Sequence, residues 1–149
     1  MVDYRENILT RLVALAAGVP GINLAARNKI NPSDQELPAI IVFDADELGD
    51  EADPDKAMRP PNAPRRVRLT PEIAIMFEKD TPNIGSSLNA ARTAMIKAIM
   101  TDATLAAYTQ DGRGIYYLGC TTDLARGRST EGTMSLHFAF NYALRASDL

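Results

Sequence analysis

The sequence predicts an α+β fold: a mostly antiparallel sheet of about four to five strands, two helices packed on one face, and a long charged loop or hairpin arm. Three observations carry that expectation. Two stretches repeat apolar residues at helical spacing, several shorter ones alternate or run apolar like strands, and one segment, 44–66, is too charged and too rich in proline for either. At 149 residues the chain suits one domain spanning 1–149.

The first helix is expected from Tyr4 to Ala17. Asp3 followed by Glu6 is a capping-box-like start, and Ile8, Leu9, Leu12, Leu15 and Ala16 form one stripe. Glu6, Thr10 and Arg11 take the other side, and Gly18 and Pro20 stop the helix. Ile22, Leu24 and Ala26 alternate with Asn23, Ala25 and Arg27 as a short strand, and Asn31-Pro32-Ser33-Asp34 is turn chemistry. Pro38 opens a second strand, Ala39–Phe43, whose unbroken apolar character implies cover on both faces.

A third strand is expected from Arg66 to Phe77. Val67, Leu69, Ile73, Ile75 and Phe77 share one face, Arg66, Arg68, Thr70, Glu72 and Met76 the other, and Pro71 marks an edge or a bulge. Thr81-Pro82 opens the second helix, with a stripe of Ile84, Leu88, Ala91, Met95, Ile96 and Ile99. Arg92 projects near the middle of that stripe, so it must snorkel out or meet a carboxylate, within the chain or on another subunit. Asp102 caps a short turn of helix, and Ile115–Thr122 reads as a strand with apolar residues on both faces. The clearest strand is the last: Met134, Leu136, Phe138, Phe140 and Tyr142 alternate with Ser135, His137, Ala139, Asn141 and Ala143.

The net charge of −3 is unevenly laid out. Asp44, Asp46, Glu47, Asp50, Glu51, Asp53 and Asp55, offset only by Lys56, give one short run −6; the remaining 15 basic and 12 acidic residues leave +3 elsewhere. Charges this dense repel and must reach solvent or a basic partner. Arg59, Arg65, Arg66 and Arg68 follow closely, and excising Glu47–Asp55 is expected to leave the fold intact but weaken assembly.

Several function classes are excluded. One cysteine, Cys120, rules out a disulfide framework and Cys-rich zinc sites, and one histidine, His137, rules out two-His metal motifs. Asp44-x-Asp46 with Gly49 matches a calcium loop only in part, since Leu48 stands where an oxygen ligand belongs. There is no Gly-x-Ser-x-Gly, phosphate loop or dinucleotide fingerprint, so no catalytic, cofactor-binding or metal residue is expected. A pI near 5.1 without a basic stripe disfavours nucleic-acid binding. No apolar run approaches the roughly 18 residues of a bilayer span. The acidic start Met1–Asn7 is unlike a secretory signal, which points to a reducing cytoplasm or a particle assembled there.

Four segments together resemble the tail terminator proteins of long-tailed bacteriophages, the minor tail protein U type. They are Arg5–Leu12, Pro38–Asp44 before the acidic run, Leu88–Arg92 leading to Ile99–Leu105, and Glu131–Tyr142. The resemblance implies a structural virion protein and no enzyme: a homo-oligomeric ring, usually a hexamer, capping the head-proximal end of the tail tube. Such a ring stops tube polymerisation, joins tail to head-side connector, and lets DNA pass through its lumen without specific binding. It further implies that Asp44, Asp46, Glu47, Asp50, Glu51, Asp53, Asp55, Arg59, Arg65, Arg66, Arg92, Arg126 and Arg128 serve inter-subunit and assembly contacts, the arm's carboxylates meeting bases such as Arg126 and Arg128. The alternatives are a neck or head-completion protein of the same particle and, from a different class, a small cytoplasmic enzyme or ligand-binding module.

Overall fold

The structure, a computed structural model, describes residues 2–49, 59–123 and 131–149. Helix α1 spans Tyr4–Ala17, where the spacing predicts it; the Asp3 carboxylate accepts the Glu6 N–H at 3.2 Å, and Ile8, Leu9, Leu12 and Ala16 are buried. Strand β1 (Leu24–Arg27) lies parallel to β2 (Ala39–Phe43), and the chain between them makes a 3-10 turn at Asp34–Glu36, capped reciprocally by Ser33 and Glu36. Then follow β3 (Glu47–Gly49), β4 (Arg65–Leu69), β5 (Glu72–Glu78), α2 (Ile84–Thr101), α3 (Ala103–Ala107), β6 (Ile115–Asp123) and β7 (Glu131–Leu144).

The described residues thus form an α+β fold with seven strands and three α-helices, more than the four to five strands and two helices expected. The strand difference has a simple physical origin. Arg65–Leu69 pairs with Leu144–Phe140, and Glu72–Glu78 pairs with His137–Glu131, in one unbroken register. The expected third strand is therefore one line of chain along β7, cut into β4 and β5 at Thr70-Pro71 because proline has no N–H for the ladder. Its other side is lined by β2 against β5 and β3 against β4, with a one-residue slip across Asp44–Asp46. Seven strands occupy five lanes: β1, then β2 with β3, then β5 with β4, then β7, then β6. Among the described residues only the β1–β2 pairing is parallel.

Helix α3 is the expected short turn, grown to five residues. Asp102 ends α2 and caps α3, accepting the Leu105 N–H at 2.7 Å and a two-pronged contact from Arg11 at 2.6 and 2.9 Å. The second helix starts at Ile84, not at Thr81-Pro82. Asn83 precedes it at φ 52°, a left-handed conformation that asparagine tolerates, and this breaks the helix away from the proline.

All three helices cover one face of the sheet. Ile40, Val42, Leu69, Ile73, Ile75, Leu136, Phe138, Phe140 and Tyr142 meet the stripes of α1 and α2 there. The opposite face carries a smaller apolar cluster, Leu37, Ala39, Ile41, Ala74 and Met76, so β2 is buried on both sides as its composition implies. Elsewhere that face carries Arg66, Arg68, Glu72, Ser135, His137 and Asn141, interspersed with Ala139 and the exposed Leu48 and Tyr116. Among the described residues no helix is long and apolar enough to cross a membrane.

Candidate functional site

The acidic run begins inside the body of the protein. Arg27 grips Asp44 with two nitrogens at 2.6 and 2.8 Å and reaches Glu6 at 2.7 Å, tying β1 and α1 to the end of β2. The Asp44 N–H donates to the Asn28 side chain at 2.9 Å, and Arg5 donates to the Ala45 carbonyl at 3.1 Å. The Asp46 carbonyl accepts the Thr70 N–H at 3.2 Å. Glu47 accepts a hydrogen bond from the hydroxyl of Tyr142, a side chain only 1% exposed. Asp44 and Glu47, expected among the assembly contacts, thus spend their carboxylates within the chain. Deleting from Glu47 would remove β3 and leave the buried Tyr142 hydroxyl without this acceptor, so excision without damage has to start beyond Gly49.

The returning limb is also fastened. Arg59 donates to the Pro64 carbonyl at 3.0 Å and Arg65 to the Pro60 carbonyl at 3.5 Å, while Asn62 and Ser147 exchange hydrogen bonds at 2.9 and 3.2 Å. β3 and β4 then pair antiparallel. Asp50, Glu51, Asp53, Asp55, Arg126 and Arg128 lie outside the described residues, as does Gly127-Arg128-Ser129.

These pairings set a pH dependence. Arg27 holds the carboxyls of Asp44 and Glu6 below their ordinary values, Arg11 does the same for Asp102, and Lys29 brings Glu36 down to about 2. A depressed carboxyl binds its proton less readily in the folded chain than in the unfolded one, so its contribution is present above the ordinary value and lost as pH falls toward the folded one. Tyr142 behaves oppositely: burial, then its bond to Glu47, pushes the phenol up, so unfolding is favoured as pH climbs past the ordinary tyrosine value. Thermal melting should therefore be steady from about pH 5 to 9 and fall below about pH 4 and above about pH 10. A melting temperature that held or rose at pH 3 would show that these pairs contribute nothing.

Arg92 is half-buried and turns onto β6, with its guanidinium carbon 5.8 Å from the ring centre of Tyr117 and Nη2 donating to the Tyr117 hydroxyl at 3.4 Å. The charge in the α2 stripe thus meets an aromatic of its own subunit. Cys120 packs at the margin of the main core, and His137 sits on the polar sheet face opposite Glu72 and Gly119. Among the described residues no group of three or more His, Cys, Asp or Glu is placed to hold a metal ion.

A second group of charged side chains lies on the face the helices leave open. A shallow depression of about 230 Å³ is lined by Arg66, Gln110, Asp111, Arg113, Gly114, Tyr116 and Asn141. Arg68 borders it, donating to the Asn141 side-chain oxygen at 3.0 Å and crossing β7 to lie 5.5 Å from the ring centre of Tyr116. Neither Arg68 nor Arg113 forms an ion pair with a carboxylate of the described residues. Asp111 is the single acid in this lining, against three arginines in and beside it. Arg66 was within reach of sequence reasoning through its place on the polar face. Arg113 was not, because only the pairing of β6 with β7 brings the turn before β6 to the level of Arg68, across β7 from β4.

No protein-family model matches this chain, and no curated protein matches it either. Fold and surface together define an α+β protein with its helices on one sheet face and an arginine-lined depression on the other.

Proposed function

We propose that this chain is a structural protein of a bacteriophage virion, a tail terminator. It assembles into a ring, a hexamer by its resemblance, on the head-proximal end of the tail tube. There it halts addition of tube subunits and presents a surface to the head-side connector, with DNA passing through the lumen unbound. Its place is the virion tail, assembled in the host cytoplasm.

One observation carries the reading: the acidic run springs from a base secured on both limbs, while its own carboxylates 50–55 have a charge density that opposes burial in a monomer. Fixed points at residues 49 and 59 hold both ends of the charged run in place, and a charged run so anchored is suited to contacts that repeat around a ring. The four sequence segments that resemble tail terminators supply the particular place in the particle.

The test is mass and activity together. Light scattering on the purified 16.2 kDa chain should give a closed oligomer, images should show rings, and adding the chain to polymerising tube protein should cap growth. A strict monomer that leaves tube length unchanged overturns the proposal.

A further inference from the structure

We propose that β6 of one copy of this chain takes β1 of a second copy beside it, so that the sheet runs on from subunit to subunit with Tyr116 opposite the second copy's Ala26. The inference rests on the ring reading above and names a contact that holds neighbouring subunits.

β6 has the composition of a central strand and the position of an edge strand. Ile115-Tyr116-Tyr117-Leu118 is an unbroken apolar run, like β2. β2 lies between two strands and is buried on both faces, whereas β6 pairs, among the described residues, with β7 alone. Tyr116 and Leu118 are left 45% and 54% exposed, while Ile115 and Tyr117 reach the main core and are only partly covered by it. A sheet edge is normally blunted by lysine, proline or an inward charge, and residues 115–122 contain none of these. The Asn141 N–H donates to the Gly114 carbonyl, so by the alternation of an antiparallel ladder Ile115 and Tyr117 aim their backbone N–H and C=O groups outward. The register slip at Gly119 ends this stretch at Leu118.

The other margin of the sheet matches it. β1 is four residues long and pairs, among the described residues, with β2 alone. The Asn28 N–H donates to the Val42 carbonyl, which by the two-residue repeat leaves the backbone groups of Ala25 and Arg27 facing outward. Setting Ile115 opposite Arg27 and Tyr117 opposite Ala25 joins outward groups to outward groups. It also keeps the faces, because Ile115, Tyr117 and Ala25 pack on the helix side and Leu24 and Ala26 in the smaller cluster on the open side. Leu118 then meets Leu24 and Tyr116 meets Ala26, apolar cross-strand pairs that remove exposed surface from both margins. Direction agrees as well: β1 runs with β2, and the antiparallel steps through β5 and β7 leave β6 opposed to β1. A rotation that brings one margin to the other therefore makes an antiparallel pair with all helices on the same side. Two different surfaces of one chain meet, which is the head-to-tail geometry of a ring; β6 against a second β6 would use one margin only and stop at a dimer.

The test uses the full-length chain. Leu118→Lys places a charge at an exposed position, so its melting temperature should match wild type while self-association weakens about tenfold or more. A variant with both Tyr116→Cys and Ala26→Cys puts two thiols at a non-hydrogen-bonded antiparallel pair, the closest cross-strand spacing and within disulfide reach between copies. Oxidation should give a ladder of covalent dimers, trimers and higher multiples, and Tyr116→Cys alone should give none. Dimers without higher multiples reveal two-fold pairing of β6 and overturn the contact. A wild-type oligomer with no ladder in the double variant, or with self-association unchanged in Leu118→Lys, overturns the contact and leaves the ring reading standing. A ladder from a chain that is otherwise monomeric, or that polymerises without closing, keeps the contact and overturns the ring. A monomer with no ladder overturns both.

Discussion

Replacing Phe138 by alanine should cost about 3–5 kcal/mol of folding stability. The side chain is fully buried at the centre of β7, where its ring lies 5.3 Å from that of Tyr117 on β6 and 6.1 Å from that of Phe140. By register it stands opposite Pro71, the residue that interrupts the neighbouring lane. Sheet backbone on both sides and helices above leave little that can collapse into the space, so most of the vacated volume should persist as a cavity. Urea denaturation should show the midpoint falling with the slope unchanged. A domain of this kind is stable by about 5–15 kcal/mol in all, so the loss is a large fraction of it. A change below about 1 kcal/mol would mean that this ring is not a core contact.

Phe138 also shows what the chain announces locally. Its strand alternates so regularly that both faces can be assigned by eye, and α1 carries cap, stripe and stop signals that agree to the residue. The line from Arg66 to Phe77 was legible as to faces but not as to breaks: Pro71 signals an interruption, yet whether the chain turns or continues depends on the register that β7 imposes. Asn83 gave a similar blind spot, because a left-handed residue ahead of α2 leaves no periodic trace. The acidic run misled in a different way. Charge density suggested that all of 44–66 is arm, whereas Arg27, Arg5 and Tyr142, distant in sequence, draw Asp44–Glu47 into the body. Long-range partners of this kind are invisible to periodicity. The same limit hid the depression, which needs Arg68 from one lane, Asn141 from the next and Arg113 from a turn beyond it.

Gly114 makes that limit testable. It precedes β6 at the floor of the depression, where its carbonyl accepts the Asn141 N–H at 2.8 Å and its own N–H donates to Thr109 Oγ1 at 3.0 Å. A Cβ at this position would fall 2.4 Å from the Asn141 carbonyl oxygen and 2.9 Å from Thr109 Cβ. The first of these neighbours is strand backbone and cannot swing aside. Gly114→Ala should therefore push the 110–114 turn away from β7, at a cost of about 1–3 kcal/mol. It should also move Arg113 and Tyr116 relative to Arg68, because the turn carries the first and leads directly into the second. The two effects are read separately. Urea unfolding gives the stability loss, while amide hydrogen exchange of the still-folded variant at low temperature reports the displaced turn and should speed up at residues 110–114 and at the Asn141 N–H. Unchanged stability would show that the close approach of backbone at Gly114 does not govern the turn. Lost stability with unchanged exchange at these amides would show that the added methyl is accommodated somewhere other than in the turn.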